Sequence, residues 1–420
     1  MPAQCKVLWW TGVLAVAVIG CRTTSDTHAP KTTSPEVKLS HTLDSICKAY
    51  QVVGMSVALV SDTAFLYAHS WGQAQLGAAQ PMTDSTFARV ASVSKVLTAL
   101  AVMQLYEQGK FSLEDDISPA LGFQLRNPNF PDKPITYRQL LQHTSSLESD
   151  EAMPAPYYVL WRDPTLRLSD VLSSHGARYN DSVYRSLWSK HPPGTRFAYS
   201  NLGYALLGTL VERHSGKRFD QYCTEHIFAP LGLKASFNVM DIPTEQLAYP
   251  YREVQGRWMA QADSVRPIFP LERYEVGSNA LLFSPQGGLR ISIKELGRLV
   301  QLFLNSGQLG KVRLVSEQAL RIMEQNPLST SDALFGKYAL GLCYADSLWK
   351  GVELIGHSGQ AYGLLSGFYY NRPQRLGVTM LITGSRYRAT GSAFYDVELA
   401  IYDALYHYLI EKGKIAPLHR

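Results

Sequence analysis

The amino-acid sequence predicts an α+β fold, an α/β sandwich in which one antiparallel sheet is flanked by helices from the two ends of the chain and a mainly helical subdomain is inserted. Three observations predict it. Amphipathic helical patterns stand near both ends of the folded part, and strand patterns lie beside them. The long middle carries helical patterns cut by Pro and Gly, with few alternating runs. A sheet closed by both termini follows, with its parts at about 37–90 and 285–412 and the helical lobe at about 91–284.

Leu39, Leu43, Ile46 and Tyr50 recur at steps of three and four, which predicts a helix ending before Gly54. Residues 55–71 form a hairpin, its arms Ser56-Val57-Ala58-Leu59-Val60 and Ala64-Phe65-Leu66-Tyr67 joined by Ser61-Asp62-Thr63. The run 96–103 is apolar all round, so its helix must be buried. Ser292 and Glu295 make a capping box for a helix that stops near Ser306-Gly307. A strand at 352–355 precedes Gly356, and 364–370 pairs with 377–382 around Asn371-Arg372-Pro373. Phe394, Val397, Ile401, Leu405 and Tyr408 share one face of the final helix.

Ahead of this domain, one lysine at Lys6 precedes the apolar run 7–19, which is too short to span a bilayer comfortably and reads as the core of an export signal. Val18-Ile19-Gly20-Cys21 resembles the lipobox of bacterial lipoproteins, so residues 1–20 are expected to be a signal peptide and Cys21 the lipidated residue. The polar, Ser/Thr-rich stretch that follows is expected to be a flexible tether over 21–36, leaving 37–412 as the folded domain. These features predict an exported protein of the cell envelope, lipid-anchored to a bacterial membrane.

Composition excludes several functions. A net charge of +5 dispersed over 420 residues gives nucleic-acid binding no support. Eleven histidines include no HExxH pattern and no Cys/His pairs at ligand spacing, so neither a metal nor another cofactor is expected. Cys47, Cys223 and Cys343 are scattered and odd in number, which argues against a disulfide framework.

The chemistry centres on Ser92 and Lys95. A serine hydroxyl needs a base within hydrogen-bond reach, and a three-residue step on a helix stacks the two side chains on one face. The helix N-terminus favours a developing alkoxide, and burial favours the neutral amine that can take the proton. Spacing alone is weak, since Ser-x-x-Lys arises about once by chance in a chain this long. It recurs at Ser347 and Lys350, in a short polar connection with no apolar helix behind it.

The surrounding residues add specificity. The stretch 87–100, with Ala91-Ser92-Val93-Ser94-Lys95 at its centre, resembles the active-site helix of the serine β-lactamase-like and penicillin-binding protein family. That family comprises class C β-lactamase-related serine hydrolases, including D-Ala-D-Ala carboxypeptidase and esterase members. The stretch 135–147, ending in Gln142-His143-Thr144-Ser145-Ser146-Leu147, resembles its next landmark, with Ser146 where glycine is usual, and Tyr199-Ser200-Asn201 resembles its Tyr-x-Asn motif. The resemblance covers about 55–384. It implies an active site between sheet and lobe, with Ser92, Lys95 and Tyr199 catalytic. Tyr199 is expected to shuttle a proton, and Asn201 to fix Lys95 and a substrate amide.

The family's third landmark is usually Lys-Thr-Gly, and His357-Ser358-Gly359 stands in its place. The same tripeptide at 214–216 follows a helix and reads as its stop signal. The resemblance assigns substrate binding to His357, Gly359 and Gln360, with an oxyanion hole from the backbone N–H groups of Ser92 and Gln360. Histidine is largely neutral at pH 7, so attraction of a substrate carboxylate should be weaker than with lysine. Trp258, Phe269 and Tyr274, in the segment 249–283, are expected to help cover the cleft. A covalent Ser92 acyl-enzyme acting on D-amino-acid peptides or related amides of the cell envelope is the expectation. A carboxylesterase, a β-lactamase or a silent binding scaffold are the alternatives.

Overall fold

Alternation along one strand explains the architecture. In Gly54–Ser61, Met55, Val57 and Leu59 join one buried cluster, whereas Ala58 and Val60 join another on the opposite face. A strand buried on both faces must be sandwiched between layers. The first face receives Leu39, Leu43 and Cys47 of the helix Pro35–Ala49, and Val397, Ile401 and Leu405 of the helix Asp396–Glu411. The second receives Leu296, Val300 and Phe303 of the helix Ile293–Leu304.

The computed structural model describes residues 33–78, 80–148, 160, 162–261, 263, 271–330, 332 and 335–415. Residues from Pro35 onward form one unit. The expected signal run 7–19 and Cys21 lie outside the described residues, as does Phe269. The first helix begins at Pro35, just inside the stretch assigned to the tether, where proline suits a first helical turn.

The main sheet has nine strands in the order Leu328–Ser329, Lys337–Tyr338, Cys343–Trp349, Val352–Ala361, Leu364–Asn371, Leu376–Ile382, Gly54–Ser61, Phe65–Gln75 and Gln80–Pro81. Met55 opposite Ile382 and Ser61 opposite Leu376 join the N-terminal strands to the C-terminal ones. The predicted closure of one sheet by both ends of the chain is therefore present.

Three details differ from expectation. The strand does not stop at Gly356 but continues through His357 to Ala361. Its pairing with Cys343–Trp349 ends at Gly356, so 357–361 has a ladder partner on one side only and its other edge is turned to the lobe. Second, there are strands outside the main sheet: Ala235–Ser236 of the lobe joins Ala88–Arg89 and Arg290–Ile291 in a small sheet, and within the lobe Tyr251–Val254 pairs with Arg257–Ala260. Two-residue strands are too short to leave an alternating pattern. Third, the Ser292 hydroxyl accepts from the Glu295 N–H at 3.2 Å, but the Glu295 carboxylate turns to Arg298 instead of closing a capping box.

Candidate active site

The nucleophile candidate lies where a short 3-10 turn, Ala91–Val93, feeds the helix Ser94–Glu107. That helix is buried from Ser94 to Leu105, as its uniformly apolar sequence requires. Ala91 adopts φ +42°, a left-handed conformation rare for a residue with a Cβ, immediately before Ser92.

Lys95 is fully buried, yet its Nζ meets three oxygen acceptors: Ser92 Oγ at 3.1 Å, Asn201 Oδ1 at 2.5 Å and the Gln286 carbonyl at 2.8 Å. Three such acceptors match the three donors of an ammonium group. The rings of Tyr199 and Tyr204 lie 4.7 and 5.5 Å from Nζ and add their negative faces. Burial by itself favours the neutral amine, whereas this cage compensates the charged one. The Gln286 carbonyl could not be anticipated, because a main-chain acceptor has no side-chain signature.

Asn201 can take this task because it does not cap its helix. In the helix Asn201–Ser215 the cap is Ser200, whose hydroxyl accepts from the Gly203 N–H at 3.3 Å. The tripeptide at 214–216 ends this helix, with Gly216 at φ +70°, as its reading as a stop signal requires.

The strand Val352–Ala361 meets the nucleophile turn through Gly359. A Cβ there would stand 2.4 Å from the Val90 carbonyl oxygen and 3.2 Å from the Ser92 nitrogen, so only glycine permits the approach. The adjoining Ser366 hydroxyl donates to the Val90 carbonyl at 2.7 Å and fixes the contact from the next strand. Gln360 is exposed, and its side-chain amide donates to the Tyr395 hydroxyl at 2.5 Å.

His357 is fully buried, with both ring nitrogens engaged. Nδ1 lies 2.5 Å from the Ser358 carbonyl, which can only accept, so Nδ1 carries the proton. Nε2 then accepts from the Tyr338 hydroxyl at 3.1 Å. Burial, reinforced by the Lys95 charge, pushes the imidazole down to about 3. His357 therefore offers no cation at the place where the usual motif has lysine. Its ring is 6.2 Å from that of Tyr199, and Phe335 stacks on Tyr199 at 4.7 Å.

Ser347 of the second Ser-x-x-Lys belongs to the strand Cys343–Trp349 and not to a connection, while Lys350 is exposed in the turn after it; neither is on a helix. Tyr274 is not a cleft residue. It is buried, and its hydroxyl donates to Glu212 Oε2 at 2.6 Å. Trp258 lies in the hairpin Tyr251–Val254/Arg257–Ala260, which is tied to the main sheet by Tyr251 N–H donating to the Thr383 carbonyl at 2.7 Å.

Sequence reasoning missed a charged cluster beside the site. Asp263, 3% exposed at its side chain, bridges Arg89 and Arg290, which face each other across the small sheet. It ties the segment 249–283 to the strand entering the nucleophile turn. A lone Asp far along the chain gives no signal of this pairing. Among the described residues no group of side chains could hold a metal ion. Cys47, Cys223 and Cys343 are free and buried.

A family model described as Beta-lactamase matches residues 39–400. The chain is 26% identical over 326 residues to penicillin-binding protein 4 of Amycolatopsis lactamdurans, covering 77% of this chain and 78% of that one. It is 31% identical over 173 residues to penicillin-binding protein 4* of Bacillus subtilis (strain 168), covering 40% of this chain and 34% of that relative, so it spans about a third of the latter. Among solved structures, the octameric penicillin-binding protein homologue from Pyrococcus abyssi superposes with TM-score 0.66 at 24% identity, covering 90% of this chain and 77% of that one. The D-amino acid amidase from Ochrobactrum anthropi SV3 also gives TM-score 0.66, at 20% identity over 91% of this chain and 100% of that one. At these identities the structural likeness concerns the fold.

Proposed function

Because this chain belongs to the Beta-lactamase family of serine hydrolases, we propose that it forms a covalent acyl-enzyme on Ser92 and acts on D-amino-acid peptides or related amides of the cell envelope. The observation that carries the reading is the buried Lys95 ammonium cage, which joins Ser92 Oγ, Asn201 Oδ1 and the face of Tyr199.

In this mechanism Ser92 Oγ attacks the acyl carbon, and its proton passes to the Tyr199 oxygen, which acts in its deprotonated form beside the Lys95 ammonium. Tyr199 returns that proton to the leaving nitrogen as the bond to the acyl carbon breaks. Water then repeats the sequence on the ester, and Ser92 recovers its proton. The N–H groups of Ser92 and Gln360 hold the developing oxyanion, in a contact that Gly359 makes possible.

The neutral, occupied state of His357 favours substrates whose leaving side carries no free carboxylate, such as an amide or a capped peptide. The same observation supports a carboxylesterase as the second reading, and it disfavours strong β-lactam recognition. Similarity to a D-amino acid amidase fold and to a protein named penicillin-binding protein 4 agrees with amide chemistry. The sequence signals at 7–19 and Cys21 support export and a lipid anchor in a bacterial membrane.

Steady-state kinetics on D-amino-acid amides, D-Ala-D-Ala peptides, p-nitrophenyl esters and a chromogenic cephalosporin test the assignment. Highest kcat/KM on the amides supports it. Highest kcat/KM on the esters moves the protein to the second reading, and highest on the cephalosporin contradicts both.

A further inference from the structure

The landmark 135–147 has no role in the mechanism above, yet it contains a buried histidine with an unusual backbone. His143 is 1% exposed and adopts φ +56°. A non-glycine residue persists in that region only where its surroundings over-determine it. The surroundings are the Tyr-x-Asn motif. The His143 carbonyl accepts from the Ala198 N–H at 2.8 Å, and its Nδ1 accepts from the Ser200 N–H at 3.0 Å. The two bonds straddle Tyr199. The imidazole lies against the Tyr199 ring, with centroids 4.3 Å apart, and is backed by Tyr204 and Tyr338, each at 5.0 Å.

The bond at Nδ1 also fixes the tautomer. A nitrogen that accepts from a backbone N–H carries no proton, so the ring proton of neutral His143 sits on Nε2. Burial, with the Lys95 charge adding to it, holds the imidazole well below its ordinary range. Nε2 is buried and makes no hydrogen bond among the described residues. An unmade bond at a buried ring nitrogen is unfavourable, and an apolar side chain of similar shape would avoid it. What the imidazole supplies that such a side chain lacks is the acceptor at Nδ1.

We propose that His143 is a positioning residue: through its carbonyl and Nδ1 it clamps Ala198 and Ser200, and so holds Tyr199 over Lys95 and Asn201 within reach of its ammonium. The inference rests on the acyl-transfer reading for its kinetic consequence, while the clamp itself is independent of it. An error of about 1 Å in such a group can lower a rate by ~10²-fold.

Three variants test it. An asparagine side chain would keep an acceptor where Nδ1 now stands and tolerates left-handed backbone, so His143→Asn preserves the clamp. His143→Gln carries its amide further out and His143→Ala removes it. On p-nitrophenyl acetate, His143→Ala and His143→Gln should lose about 10²-fold in kcat with KM within about twofold, and His143→Asn should recover to within about fivefold of the parent. Amide hydrogen exchange supplies the readout that needs no activity: protection of the Ser200 N–H should fall in the alanine and glutamine variants and survive in the asparagine one. Should the alanine variant fail to fold, the asparagine and glutamine pair carries the test. Equal impairment of that pair, a loss confined to KM, or unchanged Ser200 protection in His143→Gln overturns the clamp. An inactive parent protein with Ser200 protection following the acceptor refutes the acyl-transfer reading while leaving the clamp standing.

Discussion

Asn201 Oδ1 accepts from Lys95 Nζ at 2.5 Å, across 106 residues of sequence, and this bond joins the nucleophile helix to the helix that follows Tyr199. It exists because Ser200 takes over the capping duty, which leaves the Asn201 amide directed at the ammonium. Removing Asn201 takes an acceptor from the buried ammonium, and removing Lys95 takes the donor from the buried Gln286 carbonyl. Lys95→Ala should therefore lower the rate of Ser92 modification by at least ~10²-fold and reduce stability by ~1–3 kcal/mol through the buried Gln286 carbonyl that loses its donor. Urea denaturation and fluorophosphonate labelling kinetics measure the two effects separately. Equal labelling rates in parent and variant would remove Lys95 from the mechanism.

Gly359 should tolerate no side chain. A Cβ would fall 2.3 Å from Ser366 Oγ and 2.4 Å from the Val90 carbonyl, so Gly359→Ala must push the strand off the nucleophile turn. Activity should fall by at least ~10²-fold and stability by ~1–3 kcal/mol, as kcat and thermal unfolding would report. A fully active alanine variant would contradict the close approach.

Ser146 departs from the family's usual glycine and adopts φ +69°. Its hydroxyl accepts from Asn127 Nδ2 at 2.6 Å and donates to the His191 carbonyl at 2.6 Å, which offsets the backbone strain. Ser146→Ala keeps the strain and loses both bonds, so it should destabilise by ~1–3 kcal/mol and by more than Ser146→Gly, which relieves the strain. Chemical denaturation of both variants checks the order.

Stability should depend on pH in two opposite directions. Burial raises Glu398 to about 8, above its unfolded value near 4.3, so the native state holds an extra proton and stability falls as pH rises between about 4.3 and 8. Burial lowers His357 to about 3, so the unfolded state binds the extra proton, and stability falls as pH drops from about 6.5 toward 3. Glu398→Gln should reduce the alkaline slope, the remainder coming from Glu212, which burial raises to about 7, and leave the acidic one. The Glu398 carboxyl oxygen Oε2 accepts from the Tyr395 N–H at 2.9 Å, an acceptor role that glutamine can keep. Thermal melts across pH 4–9 measure both limbs.

The sandwich was legible because burial on each face leaves a period: alternation in 55–60, and the three-and-four steps of Leu39 and Leu43 and of Val397, Ile401 and Leu405. Ser92, Lys95 and Tyr199 were legible through their order along the chain, and the Lys95 cage brings them together. What escaped were contacts made by main chain or by single distant residues. The Gln286 carbonyl, the Asp263 bridge and the grip of His143 on Ser200 involve groups whose local sequence is ordinary. The neutral state of His357 was anticipated from histidine's ordinary range, but its depth came from the strand continuing past Gly356 and turning the ring into the core.

The most direct test of the central claim is the intact mass and peptide map of the folded protein after treatment with a fluorophosphonate. One adduct per chain, on the peptide that contains Ser92 and absent in Ser92→Ala, is the predicted result. No adduct on folded protein, or an adduct that persists in Ser92→Ala, would contradict the assignment of Ser92 as the nucleophile.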